Sequence, residues 1–123
     1  MDIKKVLVVD DSDADLSYIK TVVGDAGYEV MAAKSGDEAI ALAKQEKPDL
    51  IFMDIIMDGT DGYEACRILH RDPETKEIPV VFISSKNQKA DRIWGELQGG
   101  KGFIGKPAEP EQLVEKIESF KAR

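Results

Sequence analysis

Apolar residues follow two alternating patterns along this chain. Short runs rich in Val, Ile and Phe occupy residues 6–9, 28–33, 50–53, 80–83 and 103–104. Runs of this length and content predict strands buried on both faces. Such strands belong in a parallel sheet with helices packed on each side. Between the runs, apolar positions recur at helical spacing. Leu16, Ile19, Val22 and Val23 mark one face of a helix opened by Ser12 and Asp15 and closed before Gly27. Ser35 and Glu38 make a capping-box pattern ahead of Ala39, Ile40, Leu42 and Ala43. Asp61 opens a third helix carrying Ala65, Ile68 and Leu69, and residues 87–97 give a fourth of weaker pattern, closed by Gly99 and Gly100. Pro110 suits the first turn of a fifth, with Leu113, Val114, Ile117 and Phe120 on its inner face. Five βα units in succession predict an α/β fold, a doubly wound five-stranded parallel sheet with five helices.

Length and charge narrow the reading. With 123 residues, 42% of them hydrophobic, residues 1–123 are expected to form one domain around one core, with no room for an output domain. The net charge of −7 repels nucleic-acid phosphates, so no nucleic-acid partner is expected. No apolar run approaches the roughly 20 residues of a membrane helix, so no membrane insertion is expected. No signal-peptide pattern follows Met1. The single cysteine, Cys66, excludes an internal disulfide framework and suits a reducing compartment; a cytoplasmic monomer is expected.

The chemistry-bearing residues stand at strand ends. Asp10 and Asp11 follow the first strand, Asp54 the third, Ser84 and Ser85 the fourth, and Lys106 and Pro107 the fifth. In an open parallel sheet the carboxyl ends of the strands line one edge, where ligands bind. Three carboxylates, a hydroxyl and an ammonium are thereby predicted at one rim. Carboxylates so close repel one another, and one stays protonated unless a cation intervenes. Oxygen-only ligation selects a hard ion such as Mg²⁺. A carboxylate beside such an ion and a lysine can attack a phosphoryl donor, because both cations offset the charge on the transferring group. The competing reading of each Asp is a plain helix cap, but four such groups at four strand ends argue against coincidence.

These residues also carry a family likeness. Val8, Val9, Asp10, Asp11 and Ser12, then Met53, Asp54, Met57, Asp61 and Gly62, then Ser84, then Lys106 and Pro107, resemble the response-regulator receiver family over essentially the whole chain. The resemblance implies the flavodoxin-like strand order 2-1-3-4-5. It implies that Asp54 accepts the phosphoryl group, and that Asp10, Asp11, Asp54 and the Ile56 carbonyl hold Mg²⁺, Asp10 through water. It implies that Lys106 holds the phosphoryl group, and that Ser84 and Phe103 are switch residues. The implied donor is the phosphohistidine of a histidine kinase of chemotaxis type. The implied output is a protein target on the face of the fourth helix, fifth strand and fifth helix, with no turnover of an external substrate. Trp94, Gly95, Gln98 and Gly99 are similar to stand-alone receivers of twitching-motility systems.

The sequence departs from the family pattern at Asp58, where Pro is usual, which should leave that loop less restrained. Phe103 lacks the hydroxyl of many relatives, and Ile56 and Lys86 occupy variable positions. Three other functions compete: an Asp-nucleophile phosphatase, a nucleotide or flavin module, and a phosphate-independent adaptor. Ile56 stands where such phosphatases usually carry a second Asp, and no glycine-rich phosphate loop follows the first strand. Cys66 reads as a small apolar side chain. His70 reads as a favourable charge near a helix end. Glu109, Glu111, Glu115 and Glu118 read as a solvated surface. For Trp94, core packing and partner contact stay open.

Overall fold

Alternation within the strands sorts the apolar side chains into two layers. The computed structural model, which describes residues 2–122, has the element order β1 (Lys5–Val9), α1 (Asp13–Asp25), β2 (Glu29–Ala33), α2 (Gly36–Glu46), β3 (Leu50–Met53), α3 (Gly62–Arg71), β4 (Val80–Ser84), α4 (Lys89–Leu97), β5 (Gly102–Gly105) and α5 (Pro110–Lys121). The strands form one parallel sheet in the order β2-β1-β3-β4-β5. Val6, Val8, Phe52, Val81, Ile83 and Ile104 face one side, where they meet Leu16, Ile19 and Val23 of α1 and Leu113, Ile117 and Phe120 of α5. Leu7, Val9, Ile51, Met53, Val80 and Phe82 face the other, against Ala39 and Ala43 of α2 and Ala65, Cys66 and Leu69 of α3. The period of two along a pleated strand therefore feeds both cores. Edge strand β2 is only partly buried.

Helix starts follow the sequence signals. Ser12 Oγ accepts from the Asp15 N–H (3.3 Å), Ser35 Oγ from the Glu38 N–H (3.1 Å) and Asp61 Oδ1 from the Glu64 N–H (2.9 Å). Only this half of the expected Ser35–Glu38 capping box is made among the described residues. In α4 and α5 the third helical residue caps instead: Asp91 Oδ2 accepts from the Gln88 N–H (3.0 Å) and Gln112 Oε1 from the Glu109 N–H (2.8 Å). Ile68, one of the apolar residues that mark α3 in the sequence, is exposed, and Val22, Ile40, Leu42 and Val114 are half-buried. Helix α4 buries Gly95 alone among its residues, which accounts for its weak pattern. Trp94 is 50% exposed, so of its two readings the core one falls away. No helix among the described residues is long and apolar enough to cross a membrane.

The start of α3 is pressed onto the end of β3. The Gly62 N–H donates to the Ile55 carbonyl (2.8 Å). A Cβ on Gly62 would collide with the Asp54 carbonyl oxygen and crowd the Ile55 Cα. This glycine is required by close backbone approach rather than by its φ. Gly62→Ala is therefore expected to lower stability by about 1–3 kcal/mol, the usual range for overpacking, measured by urea unfolding.

Candidate functional site at the carboxyl edge of the sheet

Ladder hydrogen bonds carry past the strand ends and fix the rim. The Asp10 N–H donates to the Ala33 carbonyl (3.1 Å), the Asp54 N–H to the Val9 carbonyl (2.9 Å) and the Lys106 N–H to the Ser84 carbonyl (3.0 Å). Asp10, Asp54 and Lys106 are thus each the first residue beyond a strand, and Ser84 the last within one, yet all keep a sheet partner. The Lys106–Pro107 bond is cis.

The three carboxylates meet as expected. Asp10, Asp11 and Asp54 each offer one oxygen, and these oxygens lie within 4.8 Å of one another. Asp10 is 1% exposed and Asp54 7%, whereas Asp11 is open to solvent. Asp10 Oδ1 accepts from the Ser12 N–H (2.9 Å) and Asp54 Oδ1 from the Ile55 N–H (2.8 Å), which orients both groups. Burial, and then the negative charge of Asp10, push the Asp54 carboxyl up to about 6; Lys106 and the Ile55 N–H pull the other way without prevailing. An all-oxygen cluster of three carboxylates, two of them buried, fits a hard divalent cation.

The Lys106 ammonium stands over this cluster. Its Nζ donates to Asp15 Oδ2 (2.8 Å), Asp10 Oδ2 (2.9 Å) and Asp54 Oδ2 (3.4 Å). Burial alone would lower its pKa, but the bonds to Asp15 and Asp10 and the charge of Asp54 outweigh burial and hold it above the ordinary lysine value. Sequence spacing gives Asp15 a part only in opening α1. The structure brings its carboxylate one turn into that helix and onto Lys106. Its spacing carries no signal of this contact, which depends on a lysine 91 residues later.

Ser84 ends β4, and Ile56 and Asp58 lie in the loop after β3, at the same edge of the sheet, whereas Phe103 sits further back on β5 opposite Phe82. Ser84 is fully buried, and its Oγ accepts from the Lys86 N–H (3.1 Å). Ile56 follows in the loop with its side chain exposed, and Asp58 beyond it is also exposed. That loop is fastened further on, where Thr60 Oγ1 donates to Asp37 Oδ1 (2.8 Å). Phe103 is half-buried on β5, its ring 6.1 Å from that of Phe82 and 5.7 Å from the Arg92 guanidinium carbon. Tyr63, which sequence spacing marks only as part of a helix start, is buried edge-on to Phe82 at 5.4 Å and donates its hydroxyl to the Asp91 carbonyl (2.9 Å). It thereby links α3, β4 and α4. Burial pushes the Cys66 thiol up to about 12, in keeping with an inert apolar side chain. His70 and the four glutamates of the α5 segment are exposed.

Comparison with known proteins agrees with this arrangement. The family description "Response regulator receiver domain" matches residues 6–118. Protein PilH of Pseudomonas aeruginosa is 38% identical over 118 residues, covering 96% of this chain and 98% of PilH. Response regulator PleD of Caulobacter vibrioides is 37% identical over 116 residues, covering 94% of this chain but only 26% of the longer PleD. Chemotaxis protein CheY4 of Vibrio cholerae superposes with a TM-score of 0.90 at 30% identity, covering 96% of this chain and 98% of CheY4. Strand order, rim carboxylates and these similarities lead to one family: the chain belongs to the response-regulator receiver domains of two-component signalling.

Proposed function

We propose that this receiver accepts a phosphoryl group on Asp54 from the phosphohistidine of a histidine kinase and signals through the surface change that follows. The observation that carries the proposal is the meeting of Asp10, Asp11 and Asp54 under the Lys106 ammonium at one sheet edge. In the transfer, an Asp54 oxygen bonds to phosphorus as the bond from phosphorus to the histidine nitrogen breaks. The electron pair stays on the imidazole. Lys106 sits where it offsets negative charge on the transferring group. Asp10, Asp11, Asp54 and the Ile56 carbonyl are the groups that would hold Mg²⁺, which supplies charge neutralisation on the phosphoryl oxygens when bound. No external substrate is turned over in this scheme; the chain is both acceptor and catalyst.

The output part of the proposal concerns Ser84 and Phe103. Ser84 is buried at the end of β4, and the Lys106 N–H is bonded to its carbonyl, so a shift of the hydroxyl toward an arriving phosphoryl group would strain β4, β5 and the loop before α4 together. Phe103 is half-buried and would follow the space that opens. The face of α4, β5 and α5 would then meet a protein target differently. Similarity to PilH and CheY4, with the likeness of Trp94, Gly95, Gln98 and Gly99 to twitching-motility receivers, favours a cytoplasmic twitching or chemotaxis-like pathway.

Acetyl phosphate with Mg²⁺ should give a single phosphate adduct by intact mass, absent without the metal and absent in Asp54→Ala. Steady release of phosphate from many esters with no adduct would instead indicate a phosphatase. Excess Mg²⁺ should raise Tm near neutral pH, and the increase should shrink as pH falls through about 6, where Asp54 takes up a proton. In the metal-free protein the sign reverses. The Asp54 pKa is raised from 3.8 to about 6 on folding, so a fall in pH through that window favours the folded state at this site, which calorimetry across pH can check. Ser84→Ala should still form the adduct but lose the phosphorylation-dependent change in partner affinity, measured by titration of the target with and without beryllofluoride.

A further inference from the structure

We infer that Asp15 is a releasable restraint on Lys106, holding the ammonium toward α1 in the resting state and letting it go when a phosphoryl group arrives. The inference rests on the phosphoryl-acceptor reading of Asp54 and concerns what regulates that same site. An ammonium has three N–H donors. All three of those on Lys106 are taken, by Asp15 at 2.8 Å, Asp10 at 2.9 Å and Asp54 at 3.4 Å. The shortest bond goes to the one partner outside the carboxylate cluster, and the longest goes to the acceptor. The resting lysine is therefore drawn to the α1 side and is already saturated.

A phosphoryl group on Asp54 needs a donor from Lys106, so one of the three bonds must give way. The three partners are not equal in this. Asp10 and Asp54 have side chains 1% and 9% exposed, and either would be left buried with its charge less well paired. The Asp15 side chain is 47% exposed and returns to water at small cost. A cleft of about 310 Å³, lined by Asp15, Tyr18, Ile83 and Ala108 among others, opens beside the pair and gives both side chains room to part. Asp13, two residues earlier, is turned to Lys34 and takes no share in the restraint.

The restraint has opposite effects on the two ligands of the site. By drawing the ammonium toward α1, so that its contact with Asp54 is the longest of the three, Asp15 favours a divalent cation at the cluster. By competing for the same ammonium, it disfavours the phosphoryl group. Removing it should therefore move the two affinities in opposite directions, which simple damage to the site would not do. In the full chain, Asp15→Asn should weaken Mg²⁺ binding about threefold, the scale of one half-exposed ion pair. It should tighten beryllofluoride binding in saturating Mg²⁺ by a similar factor. Both are read by calorimetric titration, with fluorine NMR for the second. Asp15→Glu should restore both values toward wild type. Asp13→Asn, which removes a carboxylate from the same helix start, should leave both unchanged. Equal losses in both affinities for Asp15→Asn, no change in either, or the same pattern in Asp13→Asn would overturn the restraint while leaving the receiver reading intact. Wild-type protein that binds no beryllofluoride with Mg²⁺ would overturn both.

Discussion

Holding three carboxylates together at one partly buried rim is the constraint on which the site depends. Nothing in water would hold Asp10, Asp11 and Asp54 with oxygens inside 4.8 Å. The sheet does so because Asp10 and Asp54 are each bonded through their N–H to a neighbouring strand's carbonyl, so they cannot retreat without breaking ladder bonds in a buried sheet. The repulsion is stored at the site and offset by Lys106 from a third strand.

The same rim shows how the doubly wound topology turns distance in sequence into proximity in space. Lys106 reaches Asp10 across 96 residues and Asp54 across 52. The order β2-β1-β3-β4-β5 places β1 and β3 side by side, so Asp10, Asp11 and Asp54 share one edge. Helices on both faces then cover the central strands, and the strand ends and the two edge strands remain to meet solvent.

Much of this was legible in the sequence for a simple reason. Strand cores such as residues 50–53 are apolar on both faces, and Ser12, Ser35 and Asp61 cap helices through local bonds that local spacing reveals. The strand-end carboxylates and Lys106 could be found because topology alone sends strand ends to one edge. Asp15 could not be found in the same way, since its role depends on how far a lysine 91 residues later leans toward α1. Ile68 misled because a helical repeat gives an apolar position but not how wide the buried stripe is. Helix α4 was faint because contact with the core is made through a glycine, which adds nothing to an apolar pattern.

That glycine contact has a mechanical meaning. Gly95 rests its backbone on the Phe82 ring and near Tyr63, while Ile93, Trp94 and Leu97 point outward. A helix keyed into its neighbours by large side chains can slide only by opening holes in the interior. One that lies on an aromatic ring through bare backbone leaves no hole behind when it glides. Displacing helix α4 thus asks little of the core, and the helix carries Trp94 outward, so even a slight glide would re-present that indole to whatever stands opposite.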